Sequence, residues 1–566
     1  MEILRGENLS FKYAGGQGNA ISDVSFRINE GELIVVMGES GCGKTTLLKL
    51  IKKEMIPAGE KIGSIYYKQT KIEDMDERTA VADIGFVMQK VEAQIVTDKV
   101  YHELAFVLES LSYKTEEIRI KVGEMASYFG IQGLFRKKTD ELSGGEKQLL
   151  NLASVMVTSP KILILDEPTS QLDPIAASDF IATLKKLNKE LGLTIILVEH
   201  RLEEVFSIAD RIMVMEKGRI VSFDTPSNTG KFLSGHKMLA GAPKAVVLYK
   251  EMKGIGGECP VNVKEGREYI LKNFDNKIRS VKEYDIKAEA SNGTGDIEEN
   301  AIELKNVWFR YHKEEKDILR GINLTVKRGE VFTLLGGNGT GKSTTLSIIS
   351  GLRKHYRGKV FINGRKIKDF KRNELYRENL SLLPQDPITV FVKSDVYSDY
   401  ADILKAHEIK NNIEERINEV AEMLGISKLL HKHPYDLSGG EQQKCAIGKI
   451  LLIMPKIILL DEPTKGIDGC GKEELINIVK LLKDKGITVV IVTHDVEFAA
   501  DVSDSCGLLF DGEILAKASP KEFFARNNFY TTAVNRMTRD IYENVITLKE
   551  LVWIIKENMK NQKIKI

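Results

Sequence analysis

Two glycine-rich octapeptides in this chain have the composition needed to hold a polyphosphate. They are Gly38-Glu39-Ser40-Gly41-Cys42-Gly43-Lys44-Thr45 and Gly336-Gly337-Asn338-Gly339-Thr340-Gly341-Lys342-Ser343. Both fit G-x-x-x-x-G-K-[ST], in which backbone N–H groups converge on phosphate oxygens at the positive end of the following helix. Lys44 and Lys342 would reach the terminal phosphates, Thr45 and Ser343 would ligate Mg2+, and Thr46 and Thr344 continue each loop into its helix. Downstream, Asp166-Glu167-Pro168-Thr169 and Asp461-Glu462-Pro463-Thr464 close apolar runs. An aspartate at a strand end can hold Mg2+ through water, and the glutamate after it is placed to act as general base on an attacking water. His200 and His494 end the next apolar run, where an imidazole can hydrogen-bond a γ-phosphate. Gly469-Cys470-Gly471-Lys472 mimics half of the loop motif without a strand before it and is set aside.

These groups recur in one order at nearly one offset. Lys342 lies 298 residues after Lys44, Asp461 lies 295 after Asp166, and His494 lies 294 after His200. A third motif, Leu142-Ser143-Gly144-Gly145-Glu146, returns 295 residues later as Leu437-Ser438-Gly439-Gly440-Glu441. It places a serine hydroxyl and open glycine amides at a helix start, an arrangement suited to a γ-phosphate. The chain is therefore two copies of one design.

The elements that must position these groups are legible as well. Leu33–Met37 and Val331–Leu335 read as buried strands feeding the glycine-rich turns. Ile162–Leu165 and Ile195–Val198 lack alternation, as strands buried on both faces of a parallel sheet do. Val24–Ile28 and Ile322–Val326 alternate, as in an antiparallel flap, and residues 98–158 are helix-rich. The expected fold class is α/β: two tandem P-loop domains, each a mostly parallel sheet with an antiparallel β subdomain and a helical insert. The expected boundaries are 1–235 and 301–526 for the copies, 236–300 for short helices and a linker flexible over 285–300, and 527–566 for a C-terminal appendage. Within that appendage, Thr547–Met559 reads as an amphipathic helix.

Composition narrows the function classes. The 566 residues carry 82 Lys plus Arg against 81 Asp plus Glu, a net charge of +1 that argues against a nucleic-acid partner. The five cysteines are scattered with no C-x-x-C pair, which argues against zinc or iron–sulfur modules and any metal beyond Mg2+. No apolar run reaches the roughly 18 residues of a membrane span, and Glu2, Arg5 and Glu7 do not read as a secretory leader.

The loop, the Leu-Ser-Gly-Gly-Glu signature, the Asp-Glu pair and the histidine together resemble the ATP-binding-cassette superfamily. That resemblance implies an ABC-type ATPase using ATP and Mg2+. It also implies head-to-tail pairing, in which each ATP lies between one copy's loop and the other copy's signature. By the same resemblance Tyr13 and Tyr311 stack on adenine, Gln89 and Gln385 touch Mg2+ and the attacking water, and Asp173 and Asp468 couple the sites.

Within the superfamily, Glu199-His200-Arg201-Leu202-Glu203-Glu204-Val205, Glu462–Asp468 and the tail's Phe529–Arg536 resemble the fused ATPases of energy-coupling-factor transporters. Lys90-Val91 departs from that family, which has Asn-Pro after the glutamine. The resemblance implies the motor of an importer of vitamins, related micronutrients or cobalt or nickel ions, peripheral to the cytoplasmic face of the membrane. Its partners would be a transmembrane scaffold and a small membrane substrate-binding protein. The competing reading is a soluble tandem-cassette ATPase acting on the ribosome or another soluble partner. Such factors join their copies by a long charged helix, whereas this connection carries Gly254, Gly256, Gly257, Pro260 and Gly293. Two exposed apolar pairs six and seven residues after the glutamines, Ile95-Val96 and Phe391-Val392, are the expected docking surface for a membrane partner.

Overall fold

The computed structural model describes residues 1–16, 18–274, 299–371, 374–409, 411–528 and 530–563. The segment expected to be a flexible linker, 285–300, lies outside the described residues up to 298, as does Phe529 of the tail. Met1–Val247 with Glu258–Asn262 form one compact unit, and Leu248–Gly257 with Val263–Ile566 form the other.

In the first unit, alternation makes β1 (Glu2–Tyr13) and β2 (Ile21–Asn29) an antiparallel pair with one buried face. They extend through β4 (Gly59–Tyr67) and β5 (Thr70–Lys71) into a four-stranded sheet. The uniformly apolar runs become the centre of a six-stranded sheet: β3 (Leu33–Gly38), β6 (Ile84–Val87), β7 (Ile162–Asp166), β8 (Thr194–Val198), β9 (Arg211–Glu216) and β10 (Arg219–Asp224). Its order is β10-β9-β3-β8-β7-β6, parallel except for the β9–β10 hairpin. Strands β6, β7, β8 and β3 are thus neighbours, and their carboxyl ends lie along one edge. Open α/β sheets place ligands at that edge.

The second unit repeats the plan. β11 (Asn300–Phe309), β12 (Leu319–Lys327), β14 (Arg357–Ile362) and β15 (Arg365–Lys366) make the antiparallel sheet. The other sheet runs in the order β16 (Leu380–Leu383), β17 (Ile457–Asp461), β18 (Thr488–Thr493), β13 (Val331–Leu335), β19 (Ser505–Phe510), β20 (Glu513–Ala518). The helical inserts contain Val100–Ser110, Thr115–Tyr128 and Gly144–Met156 in one unit, and Val396–Ala406, Ile413–Met423 and Gly439–Leu451 in the other. Tyr400 anchors the second insert: its ring is fully buried and its hydroxyl donates to the Cys445 carbonyl at 2.6 Å.

The last helix spans Leu548–Lys563 and packs back on the second unit rather than standing free. Leu551, Ile554 and Ile555 are buried, and Glu550 accepts the amides of Ile546 and Thr547 at 3.0 Å each. The periodicity of Thr547–Met559 puts Leu548, Leu551, Val552 and Ile555 near one face; Leu551 and Ile555 are buried, whereas Leu548 and Val552 are only half-buried and Ile554 is buried instead. The inter-copy helix Val263–Phe274 belongs to the same unit and packs on Ala533–Thr538, with the Tyr542 hydroxyl donating to the Phe274 carbonyl at 3.3 Å. Ile555→Ala should therefore destabilise the protein by about 2–5 kcal/mol, the cost of a large-to-small change at a fully buried site. Thermal denaturation checks this, and an unchanged melting temperature would mean the tail contributes nothing to folding.

Candidate functional site

Each glycine-rich loop leaves its central strand and turns into a helix that starts at the lysine, Lys44–Ile51 or Lys342–Ile349. The turn needs left-handed backbone at Gly43 (φ 106°) and Gly341 (φ 104°). A Cβ at Gly43 would come within 2.5 Å of the Ala20 carbonyl oxygen, and one at Gly341 within 2.8 Å of Leu319. The lysines fold over their own loops. Lys44 Nζ donates to the carbonyls of Gly38 (2.8 Å) and Glu39 (3.0 Å), and Lys342 Nζ to those of Gly336 and Gly337 (2.9 Å each).

The expected Mg2+ ligands are adjacent. Thr45 Oγ1 donates to Asp166 Oδ1 at 3.2 Å, and Ser343 Oγ to Asp461 Oδ1 at 3.0 Å. Burial is the main cause that pushes both aspartates up to about 6. A buried carboxylate held up by desolvation beside a hydroxyl is an all-oxygen donor set that suits a hard divalent cation. The residues present fit Mg2+, and the open loop above them fits a polyphosphate.

The sheet order brings the rest of the set to the same edge. In the first unit Gln89 follows β6, Glu167 follows β7 and His200 follows β8. Gln89 Nε2 donates to Glu167 Oε2 at 2.7 Å, and His200 Nε2 lies 2.7 Å from Glu167 Oε1. In the second unit Glu462 is drawn further inward. His494 Nδ1 lies 2.9 Å and Lys342 Nζ 3.6 Å from its carboxylate, and the Thr493 hydroxyl donates to it at 3.3 Å. Burial alone would raise its pKa, but the hydrogen bond from His494 and the charges of His494 and Lys342 outweigh burial and hold it below the ordinary value. Gln385 makes no bond to Glu462 in this arrangement.

Tyr13 and Tyr311 stand partly exposed beside the loops. Each ring is met edge-on by a phenylalanine, Phe11 at 5.1 Å and Phe309 at 5.2 Å. Their hydroxyls pair with the second loop threonines, Tyr13 with Thr46 at 2.9 Å and Tyr311 with Thr344 at 3.0 Å. Ser143 and Ser438 are the N-caps of the signature helices. Asp173 and Asp468 cap the helices Pro174–Leu191 and Gly469–Asp484, each accepting an amide at 2.9 Å. Gly469-Cys470-Gly471-Lys472 is thus the first turn of a helix, and Lys472 pairs with Asp495 at 2.5 Å.

Three features escaped the reading of the residues. Glu167 and Glu462 both adopt φ 48°, left-handed backbone that a non-glycine residue holds at a cost of about 1–3 kcal/mol and that clusters at functional sites. Glu146 and Glu441 complete reciprocal caps with Ser143 and Ser438, accepting the serine amides at 2.7 and 2.9 Å. The S-x-x-E spacing carries that signal. Glu199, fully buried, accepts the Thr169 amide at 2.9 Å and so holds the turn that presents Glu167. The apolar pairs divide: Val96 is 61% and Val392 80% exposed, while Ile95 is half-buried and Phe391 packs against the second unit's core.

Two P-loop α/β units, each with an acid pair, a glutamine and a histidine at the carboxyl edge of its sheet, define a nucleotide-hydrolysing machine in duplicate. The chain belongs to the ABC transporter ATP-binding family, whose profile matches residues 21–170 and 319–465. It is an ABC-type ATPase, and domains of this family bind ATP and use Mg2+. It is 39% identical over 549 residues to a putative ABC transporter ATP-binding protein of Bacillus thuringiensis subsp. konkukian (strain 97-27), covering 96% of this chain and 97% of that one. It is 29% identical over 534 residues to the putative HMP/thiamine import ATP-binding protein YkoD of Bacillus subtilis (strain 168), covering 93% of each. Among solved structures, cbiO1 of Clostridium perfringens, described as part of the ABC transporter complex cbiONQ, aligns at 31% identity. That match covers 40% of this chain and 92% of that one with a TM-score of 0.38, too low to bear on function. Among the described residues, no helix is long and apolar enough to cross a membrane.

Proposed function

We propose that this chain is the ATP-hydrolysing motor of an energy-coupling-factor type importer, driving uptake of a vitamin, related micronutrient or cobalt or nickel ion through a transmembrane scaffold and a small membrane substrate-binding protein. The observation that carries the reading is that both copies keep the whole set of loop lysine, acid pair, glutamine, histidine and signature. The full-length similarity to a relative named for HMP/thiamine import supports the importer class. The expected place of work is the cytoplasmic face of the membrane, and the working boundaries remain 1–235, 236–300, 301–526 and 527–566.

In this reading Lys44 and Lys342 bind the β and γ phosphates, and the loop amides of Gly38–Thr46 and Gly336–Thr344 orient them. Mg2+, held by Thr45, Asp166 and Gln89 or by Ser343, Asp461 and Gln385, would neutralise charge on the phosphate oxygens. Glu167 and Glu462 accept the proton of the attacking water, while His200 and His494 hold the bases and reach the γ-phosphate. Tyr13 and Tyr311 stack on adenine, and Asp173 and Asp468 relay between sites.

The sites are composite: Lys44 shares one ATP with Ser438-Gly439-Gly440, and Lys342 shares the other with Ser143-Gly144-Gly145. In a Cys42→Ser background, Ser40→Cys and Ser438→Cys should crosslink efficiently when ATP is bound. Preferential crosslinking of Ser40→Cys to Ser143→Cys would overturn the pairing. The importer reading is tested by co-expressing the chain with the polytopic membrane proteins encoded beside its gene. A stable complex that takes up substrate only with ATP is the expected result, and a chain that binds none of them refutes the reading.

A further inference from the structure

In each cassette the segment after the glutamine is pinned by one buried carboxylate. Glu103, in the first turn of the helix Val100–Ser110 and 5% exposed, gathers three donors on Oε2. They are the amides of Val96 (3.1 Å) and Thr97 (2.8 Å) and the Thr97 hydroxyl (2.8 Å). Asp399, 1% exposed in the helix Val396–Ala406, accepts the Val392 amide at 3.1 Å on both oxygens and the Lys393 amide at 3.0 Å. Each acid stands 14 residues after its glutamine (103−89 and 399−385), so the device is duplicated with the cassette.

The stretch after each glutamine is also bonded to the helix that begins at the signature. In the second unit Lys449, near the end of Gly439–Leu451, donates to Asp399 Oδ1 at 2.7 Å and to the Val390 carbonyl at 2.5 Å. In the first unit the link is uncharged. Asn151 of the helix Gly144–Met156 donates to Gln94 Oε1 at 3.1 Å. Gln94 in turn accepts the Met88 amide and donates to the Phe86 carbonyl, both at 2.8 Å. Removing one partner of a buried charge pair strands the other, so Asp399 and Lys449 hold one geometry or none.

We infer that Asp399 and Lys449 are positioning residues that make the docking segment of the second unit move as one body with its signature helix. The twelve residues from Ser438 to Lys449, eleven rises of 1.5 Å each, form a lever about 16 Å long. A shift of the signature end on nucleotide binding is therefore delivered to Val390–Lys393 through buried hydrogen bonds instead of a compliant surface contact. What those residues then touch rests on the importer reading; the link itself lies within this chain.

Hydrogen exchange read by mass spectrometry on the full chain tests the link without a membrane partner, with Mg2+ and a non-hydrolysable ATP analogue as the probe. In the wild type, peptides covering 438–449 and 390–395 should respond to the analogue with one concentration dependence. In Asp399→Asn, the Val392 and Lys393 amides should exchange about tenfold faster without nucleotide, the effect of losing a charge-assisted hydrogen bond. Residues 390–395 should then no longer respond to the analogue while 438–449 still do, with analogue affinity within about twofold of wild type. Lys449→Met should give the same split and Lys449→Arg should restore the response; if Lys449→Met does not fold, Asp399→Asn and Lys449→Arg decide. A wild-type segment 390–395 that ignores the analogue, or an Asp399→Asn segment that responds normally, overturns the inference. Either result leaves the docking reading standing, because that is scored by copurification of other variants.

Discussion

Glu167→Gln combined with Glu462→Gln should lower ATP turnover by about 10²-fold or more while leaving nucleotide binding near the wild-type level. Glutamine keeps the shape and the contacts with Gln89 and His200 but cannot accept the proton of the attacking water. It also keeps the backbone at φ 48° under the same demand as glutamate, so a folding defect is not expected. The single changes are informative because the two carboxylates are held differently. Glu167 is bonded to Gln89 at 2.7 Å, whereas Glu462 lies 3.6 Å from Lys342 and is bridged to His494. Nucleotide phosphates that engage Lys342 must loosen its pairing with Glu462 before that carboxylate can face water. Turnover measured with equilibrium nucleotide binding separates the cases. A single variant with an unchanged rate in the assembled transporter would make that copy regulatory.

Val96→Asp together with Val392→Asp should abolish copurification with the transmembrane scaffold proposed above. Both valines follow their glutamine by seven residues, and both are exposed on segments whose backbone is fixed from beneath. An exposed apolar side chain on a rigid segment is what a partner helix can bury, and a carboxylate there would be stranded in the interface. Their neighbours are poorer sites for the test. Phe391 packs on the core with Lys449 Nζ 5.7 Å from its ring centre, so Phe391→Asp would confound docking with folding. ATP binding and melting temperature should be unchanged in the valine variant. Retained copurification would end the docking assignment, and a fall in melting temperature would return these residues to the folding core.

The duplication, the α/β class and the position of each chemical group at the end of a strand are legible in the residues alone. These follow from short-range signals. Runs such as Ile162–Leu165 must be buried on both faces, the loop glycines are required by local backbone, and a Ser-Gly-Gly-Glu start is a helix cap wherever it sits. How those groups meet depends on the folded chain. Strand order makes Gln89, Glu167 and His200 neighbours, although 111 residues separate the first from the last (200−89). Which imidazole nitrogen faces the glutamate, Nε2 in one unit and Nδ1 in the other, depends on side-chain packing that no spacing records. The loops after the glutamines have no periodicity, so the inward turn of Ile95 and Phe391 and the outward turn of Val96 and Val392 are set by Glu103 and Asp399 beneath them. The tail shows the same limit at the scale of a helix. Its pattern places Leu548, Leu551, Val552 and Ile555 on one face. Leu551 and Ile555 are buried as expected, but Leu548 and Val552 are only half-buried and Ile554 is covered instead, because the neighbours a helix packs on decide which part of its apolar face is covered.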